Sequence, residues 1–189
     1  RDMEFNILKN TIRGEILAAF KTNEVVLGNY TNIQCFHPDT EVMTDKGFIP
    51  VAGVKINSKL ASLSMDGIVE YNNVTKVYDY DYDGLMFTQD KEINSDIDFC
   101  VTPEHKMYGV DKVERFGRDF VFKKISEIDN QDGLFWSIID DNGGENYCFS
   151  PVIPKKILYK GKVYCFEVPP HHTVLIRYNG KEMWIGQSY

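Results

Sequence analysis

The sequence predicts an all-β domain of many short strands behind a helical N-terminal segment, on three observations. From Val42 onward, short runs of β-branched and aromatic residues alternate with turn signals. Those signals recur at Asp45-Lys46-Gly47, Met65-Asp66-Gly67, Asp83-Gly84, Asp132-Gly133, Asn142-Gly143-Gly144 and Asn179-Gly180. Ahead of them, residues 1 to 22 carry apolar side chains at Phe5, Ile7, Leu8, Ile12, Ile16, Leu17 and Phe20, which is helical spacing.

In chain order, the helical stretch gives way to a polar approach, Leu27-Gly28-Asn29-Tyr30-Thr31-Asn32-Ile33-Gln34, and then to a strand-forming segment that starts at Cys35. Two hairpins are expected from strand-like flanks on either side of a turn, one around Gly67 and one around Asn179-Gly180. The run Tyr78-Asp79-Tyr80-Asp81-Tyr82-Asp83 alternates strictly, as a solvent-facing strand or hairpin arm does. It lacks the Gly and closing Glu of a calcium-binding loop, so no metal is expected there. Residues 126 to 146 are acidic and Gly-rich except for Leu134 to Ile139, and this is the expected mobile connection or insertion point.

Composition narrows the function classes. The chain has 189 residues, 43% of them hydrophobic, enough for one good core. Its formal charge is -7 with 21 basic residues spread thinly, which argues against nucleic-acid binding. Cys35, Cys100, Cys148 and Cys165 form no CxxC pair, so neither a zinc site nor a disulfide scaffold is expected. No apolar stretch approaches the roughly 18 residues of a membrane span, and the N-terminus lacks the order of a signal peptide. A reducing cytoplasm, which would keep a working thiol free, fits best.

Four blocks carry chemistry, and they come in order. Cys35, Asp39, Thr40, Val42 and Thr44 form C-x-x-x-D-T-x-V-x-T. Asp98 to His105 contains T-x-x-H at Thr102 and His105. Val163-Tyr164-Cys165 leads through Val168 to His171 and His172. Gln187-Ser188 pairs a carboxamide with a hydroxyl. A lone Cys or a lone T-x-x-H is weak, but four blocks in register are specific, and from Cys35 to Gln187 the chain resembles a mini-intein. The resemblance implies a Hint fold, a flattened horseshoe of strands that brings the first and last intein residues together. It implies three parts: residues 1–34 as the upstream host segment, 35–187 as the intein and 188–189 as the downstream remnant.

The same resemblance implies self-catalysed protein splicing, with the chain's own flanking segments as substrate, no cofactor, and a monomer. Cys35 would attack the carbonyl of Gln34 and convert an unreactive amide to a thioester. His105, with an ordinary pKa near 6.5, is the candidate general acid for the leaving amine, and Thr102 the group that orients the scissile amide or its oxyanion. Ser188 would take the acyl group. Gln187 would cyclise to a glutarimide and release the downstream segment, and an O-to-N shift would join Gln34 to Ser188. About 55 residues separate the second and third blocks, too few for a homing endonuclease.

Two departures from the commoner family pattern bear on rate. The last residue is usually Asn, and Gln187 must order one more methylene before ring closure, so release at Gln187 is expected to be the slow step. The penultimate residue is usually His and here is Gly186, which leaves His172, or its neighbour His171, to assist. Cys165 stands where many family members have Asp. It has three readings: a tuning group beside the nucleophile, an acyl shuttle, or a buried strand cysteine. Cys100 and Cys148 are read as structural. The competing functions are autocleavage without ligation, as in bacterial intein-like or Hedgehog-type domains, and a non-catalytic β-rich binding module.

Overall fold

Turn residues build the first layers of this fold. The computed structural model describes residues 32–111, 120–128, 135–140 and 148–187. Nearly all of these lie in one compact unit, Gln34–Tyr189; the other unit, Arg1–Ile33, falls almost wholly outside them. The expected N-terminal helix, the turns Asp132-Gly133 and Asn142-Gly143-Gly144, and Ser188 are therefore outside the described residues.

Strands β1 (Glu41–Thr44) and β2 (Gly47–Pro50) form a hairpin. Thr44 locks its turn by donating its hydroxyl to the Gly47 carbonyl at 2.7 Å and accepting the Lys46 N–H at 3.0 Å. Strands β3 (Lys59–Leu63) and β4 (Val69–Asn73) pair around Gly67, whose φ of 81° is one that residues with a Cβ rarely adopt. The expected turn at Asp83-Gly84 is overturned: both residues lie inside a 14-residue strand, β5 (Lys76–Gln89). Short β6 (Cys100–Val101) pairs with the end of β5 at Phe87 and Thr88.

A second group comprises β7 (Lys106–Asp111), β8 (Phe120–Lys124), β9 (Phe135–Asp140) and β10 (Cys148–Pro151), in the sheet order β10-β9-β7-β8. Strand β11 (Pro154–Glu167) then returns along the whole of β5, from Pro154 opposite Gln89 to Glu167 opposite Lys76. This continuous ladder is why Asp83-Gly84 does not turn, since a cross-strand partner at each position outweighs a local preference. Strands β12 (Thr173–Tyr178) and β13 (Lys181–Gly186) close on Asn179 and Gly180, both at positive φ (51° and 76°), as a tight hairpin turn requires. The largest sheet runs β13-β12-β1-β3-β4, with β2 on β1, and all these strand pairs are antiparallel.

Period-two patterning puts Val42, Leu60, Val174, Ile176, Met183 and Ile185 inward, against Phe36, Phe99, Val101, Met107 and Phe166 in one core cluster. Phe36 has the central part. It makes isolated bridges to both Val101 and Tyr164 and is completely buried, so the residue before it is pinned between β6 and β11. A buried carboxylate fixes the approach to β6. Asp98 Oδ1 accepts from the Thr88 hydroxyl at 3.0 Å and the Phe99 N–H at 2.9 Å, while Oδ2 accepts from Lys91 Nζ at 3.0 Å and Asn179 Nδ2 at 2.8 Å. One side chain thus ties the loop before β6 to the β12–β13 turn.

Candidate active site

Cys35 enters the core on the strand-like segment that the Phe36 bridges hold in place. Its N–H donates to the Thr102 hydroxyl at 2.9 Å, and its carbonyl accepts the Thr102 N–H at 3.1 Å. Thr102 is fully buried, so this two-point clasp fixes the backbone of Cys35, including the N–H of the amide that joins it to Gln34. The residues behind Cys35 in the first block serve this placement. Thr40 N–H bonds the His37 carbonyl at 3.0 Å, Val42 fills the core, and the Asp39 N–H donates to His37 Nδ1 at 3.0 Å.

Cys35 is disulfide-bonded to Cys165, with Cα atoms 4.5 Å apart across 130 residues of sequence. This departs from the expected free thiol and absence of a disulfide. Spacing gives no hint of the pair, because the Phe36–Tyr164 bridge, two hydrogen bonds of 2.8 and 3.0 Å, aligns the residues next to both cysteines. Cys165 is buried in β11, and its disulfide partner is the first residue of the first block. Cys100 and Cys148 are free: Cys100 is buried, which pushes its thiol up to about 12, and Cys148 is exposed.

His105 follows Thr102 by one tight turn, its N–H bonding the Thr102 carbonyl at 3.0 Å. Its ring is fully buried and packs edge-on against Phe36, centroids 4.5 Å apart. Nε2 lies 2.7 Å from the carbonyl oxygen of Gly186, and a carbonyl can only accept, so Nε2 carries the proton. Nδ1 is buried without a hydrogen-bond partner. Burial pushes this imidazole down to about 4, against the pull of backbone acceptors on Gly186 and Gln34. The expected value near 6.5 is therefore corrected: around neutral pH the ring is uncharged, a donor through Nε2 and a vacant base at Nδ1.

The downstream end meets the same residues. Gln187 is buried; its N–H donates to the His172 carbonyl at 3.1 Å, and its side-chain Nε2 lies 2.8 Å from His172 Nδ1. An amide nitrogen donates, so Nδ1 accepts. His172 reaches this position from a left-handed backbone, φ 58°. His171 is committed elsewhere, with Nε2 3.1 Å from Glu70 Oε1. Cys35, Thr102, His105, Cys165, Gly186, His172 and Gln187 thus form one connected cluster. Its members come from the segment before β1, the loop after β6, β11, and the two ends of the β12–β13 hairpin.

Solved structures with this arrangement of strands exist. An intein from a hyperthermophile matches with a TM-score of 0.61 at 16% identity, covering 82% of this chain and 99% of that one. The fold is that of an intein. A bacterial intein-like domain from Clostridium thermocellum shares the intein fold at a TM-score of 0.57 and 17% identity, covering 81% of this chain and 98% of its own. No protein-family model matches the chain. In sequence it is 38% identical over 76 residues to an ATP-dependent Clp protease proteolytic subunit of Chlamydomonas moewusii. It is also 38% identical over 77 residues to a DNA-directed RNA polymerase subunit beta C-terminal section of Stigeoclonium helveticum. Each match takes in 40% of this chain and only 7% of the relative, so the chain spans a small part of both proteins.

Asp98 and Gly186 carry more of the site than the sequence motifs suggest. Asp98 opens the second block as one acidic residue before an apolar run, and its four partners come from three separate stretches. Its placement just ahead of Phe99-Cys100-Val101 was the available signal, since a carboxylate there needs buried partners.

Proposed function

We propose that this chain splices itself, excising residues 35–187 and joining Gln34 to Ser188. One observation carries the reading: the ring of His105 is held on Gly186, one residue before Gln187, while Thr102 in the same turn clasps the amide of Cys35. Cys35 and Gln187, 152 residues apart in sequence, are thereby linked through one short turn, which supports acyl transfer between the two ends. The curated relatives add support. A Clp protease subunit and an RNA polymerase subunit, proteins of unrelated kinds, each share only 76 or 77 residues with this chain, as expected of an insert that removes itself from different hosts.

The steps follow from the groups present. With Cys35 reduced, its thiol adds to the Gln34 carbonyl while His105 Nδ1 takes the thiol proton. The same nitrogen then delivers that proton to the amine of Cys35 as the C–N bond breaks, leaving a thioester. A ring with a vacant Nδ1 suits this relay better than one already charged, because it starts as base and ends as acid. The hydroxyl of Ser188 displaces the thiolate and forms an ester. Gln187 Nε2 then gives a proton to His172 Nδ1 and attacks its own backbone carbonyl. The six-membered ring closes, and the amine of Ser188 leaves with a proton. That amine attacks the neighbouring ester, and an ordinary peptide bond results.

This chemistry requires a reducing compartment, for which the cytoplasm remains our assignment, and a monomer suffices. Intact-mass analysis of the full chain, with and without a thiol reductant, tests the proposal. Splicing yields excised 35–187, lighter by one water relative to its free acid form, and a ligated product joining Gln34 to Ser188. An upstream fragment ending in a free acid at Gln34, with no ligated product, would mean autocleavage alone, and an unchanged mass after full reduction would refute both.

A further inference from the structure

We infer that His105 is also the positioning residue of the downstream junction: its Nε2–H holds the Gly186 carbonyl and so fixes the backbone from which Gln187 cyclises. This rests on the splicing reading and adds a second task to a residue assigned to the upstream bond.

Three observations lead there. The Nε2 to Gly186 contact, at 2.7 Å, is short and fully buried, so no water competes for it. Gly186 ends β13 opposite Thr173, and beyond it Gln187 keeps one backbone bond, to the His172 carbonyl. Without His105 that last turn of chain is held from one side only. Finally, a Cβ at position 186 would collide with the Lys106 carbonyl oxygen and crowd the Phe122 ring at 3.1 Å. Lys106 is the neighbour of His105, so the absence of a side chain at 186 is what lets the strand approach close enough for the imidazole to reach its carbonyl.

The geometry also explains how a chain with no side chain at its penultimate position manages cyclisation. Two imidazoles divide the work. His172 faces the attacking amide nitrogen, and His105 restrains the peptide on the other side of Gln187. His105 does not touch the atoms that react at this junction; it limits the backbone rotations that would carry the Gln187 carbonyl away from the amide.

The test isolates the downstream step in the full chain with Cys35→Ala, which cannot form the upstream thioester, and tracks release of the segment beginning at Ser188 by mass spectrometry. A Gln side chain can present Nε2–H near the place of the imidazole Nε2, whereas Asn falls short. We expect His105→Asn to slow release about tenfold, the worth of one buried hydrogen bond, and His105→Gln to recover most of that loss. Gly186→Ala, which forces the strand off Lys106, should slow release at least as much as His105→Asn. Equal rates in the three His105 chains, or Gln no better than Asn, would overturn the positioning role while leaving the splicing reading intact. No release from the parent Cys35→Ala chain would instead remove the splicing reading, and this role with it. A measurement independent of variant folding is the nitrogen NMR spectrum of His105 in the Cys35→Ala chain. A protonated Nε2 and a bare Nδ1 at neutral pH are expected, and the opposite tautomer would refute the proposal.

Discussion

The side-chain amide of Gln187 donates to Nδ1 of His172 at 2.8 Å, so the nitrogen proposed to close the ring faces a group that can take its proton. Replacing the ring tests this directly. His172→Asn keeps a residue type tolerant of the left-handed backbone at φ 58° and removes the imidazole. Release of the downstream segment should slow about 100-fold, the low end of general-base effects, with the fold unchanged by circular dichroism. A change under about threefold would mean that the contact is only a packing bond.

Ring size gives a second expectation. Gln187→Asn closes a five-membered ring with one fewer rotor to order, worth roughly 0.5–1 kcal/mol, but shortens the reach to His172. The entropic gain should win if release is the slow step. Ligated product would then accumulate faster in Gln187→Asn, by about twofold to fivefold; an unchanged rate of both release and ligation would count against the ring-size argument.

The Cys35–Cys165 bond blocks the proposed nucleophile. Oxidised chain should therefore form no ligated product, and a thiol reductant should start ligation, since exchange at the disulfide frees the Cys35 thiolate. Cys165→Ser should process without reductant. Intact mass over time reads both, and an oxidised chain that ligates as fast as a reduced one would show that Cys35 is not needed as a thiol.

Acid should weaken the fold through His105. The unfolded imidazole titrates near 6.5 and the folded one near 4, so between those values the unfolded chain binds the extra proton. Its contribution to stability is complete above about pH 6.5, falls as pH drops through that window, and loses nothing more below about 4. A shift of that size corresponds to roughly 3 kcal/mol for a fully buried group. Urea midpoints of the Cys35→Ala chain across this range should show the slope, and His105→Gln should flatten it.

Asp98, the first residue of the second block, should matter to stability. Asp98→Ala strands the buried donors Thr88 and Phe99 N–H and frees Asn179, at a cost of about 3 kcal/mol. Denaturant unfolding measures it. A loss below about 1 kcal/mol would mean that water replaces the carboxylate.

What could be read from the sequence is what local chemistry fixes. The hairpins at Gly67 and Asn179-Gly180 are written in their turn residues, and the inward faces of β12 and β13 in alternation, because a turn's φ and a strand's two faces depend on neighbours in sequence. Asp83-Gly84 carried the same kind of signal and was overruled by the β5–β11 ladder, a partnership no local window contains. The motif residues marked which side chains could react. Only the tertiary structure decided their relations: the pairing of Cys35 with Cys165, the buried His105 on the Gly186 carbonyl, the contact of Gln187 with His172 while His171 meets Glu70, and the crowding that requires Gly186. Each joins positions far apart in the chain, and such contacts form where strand pairing and burial bring backbones together, which residue identity alone does not specify.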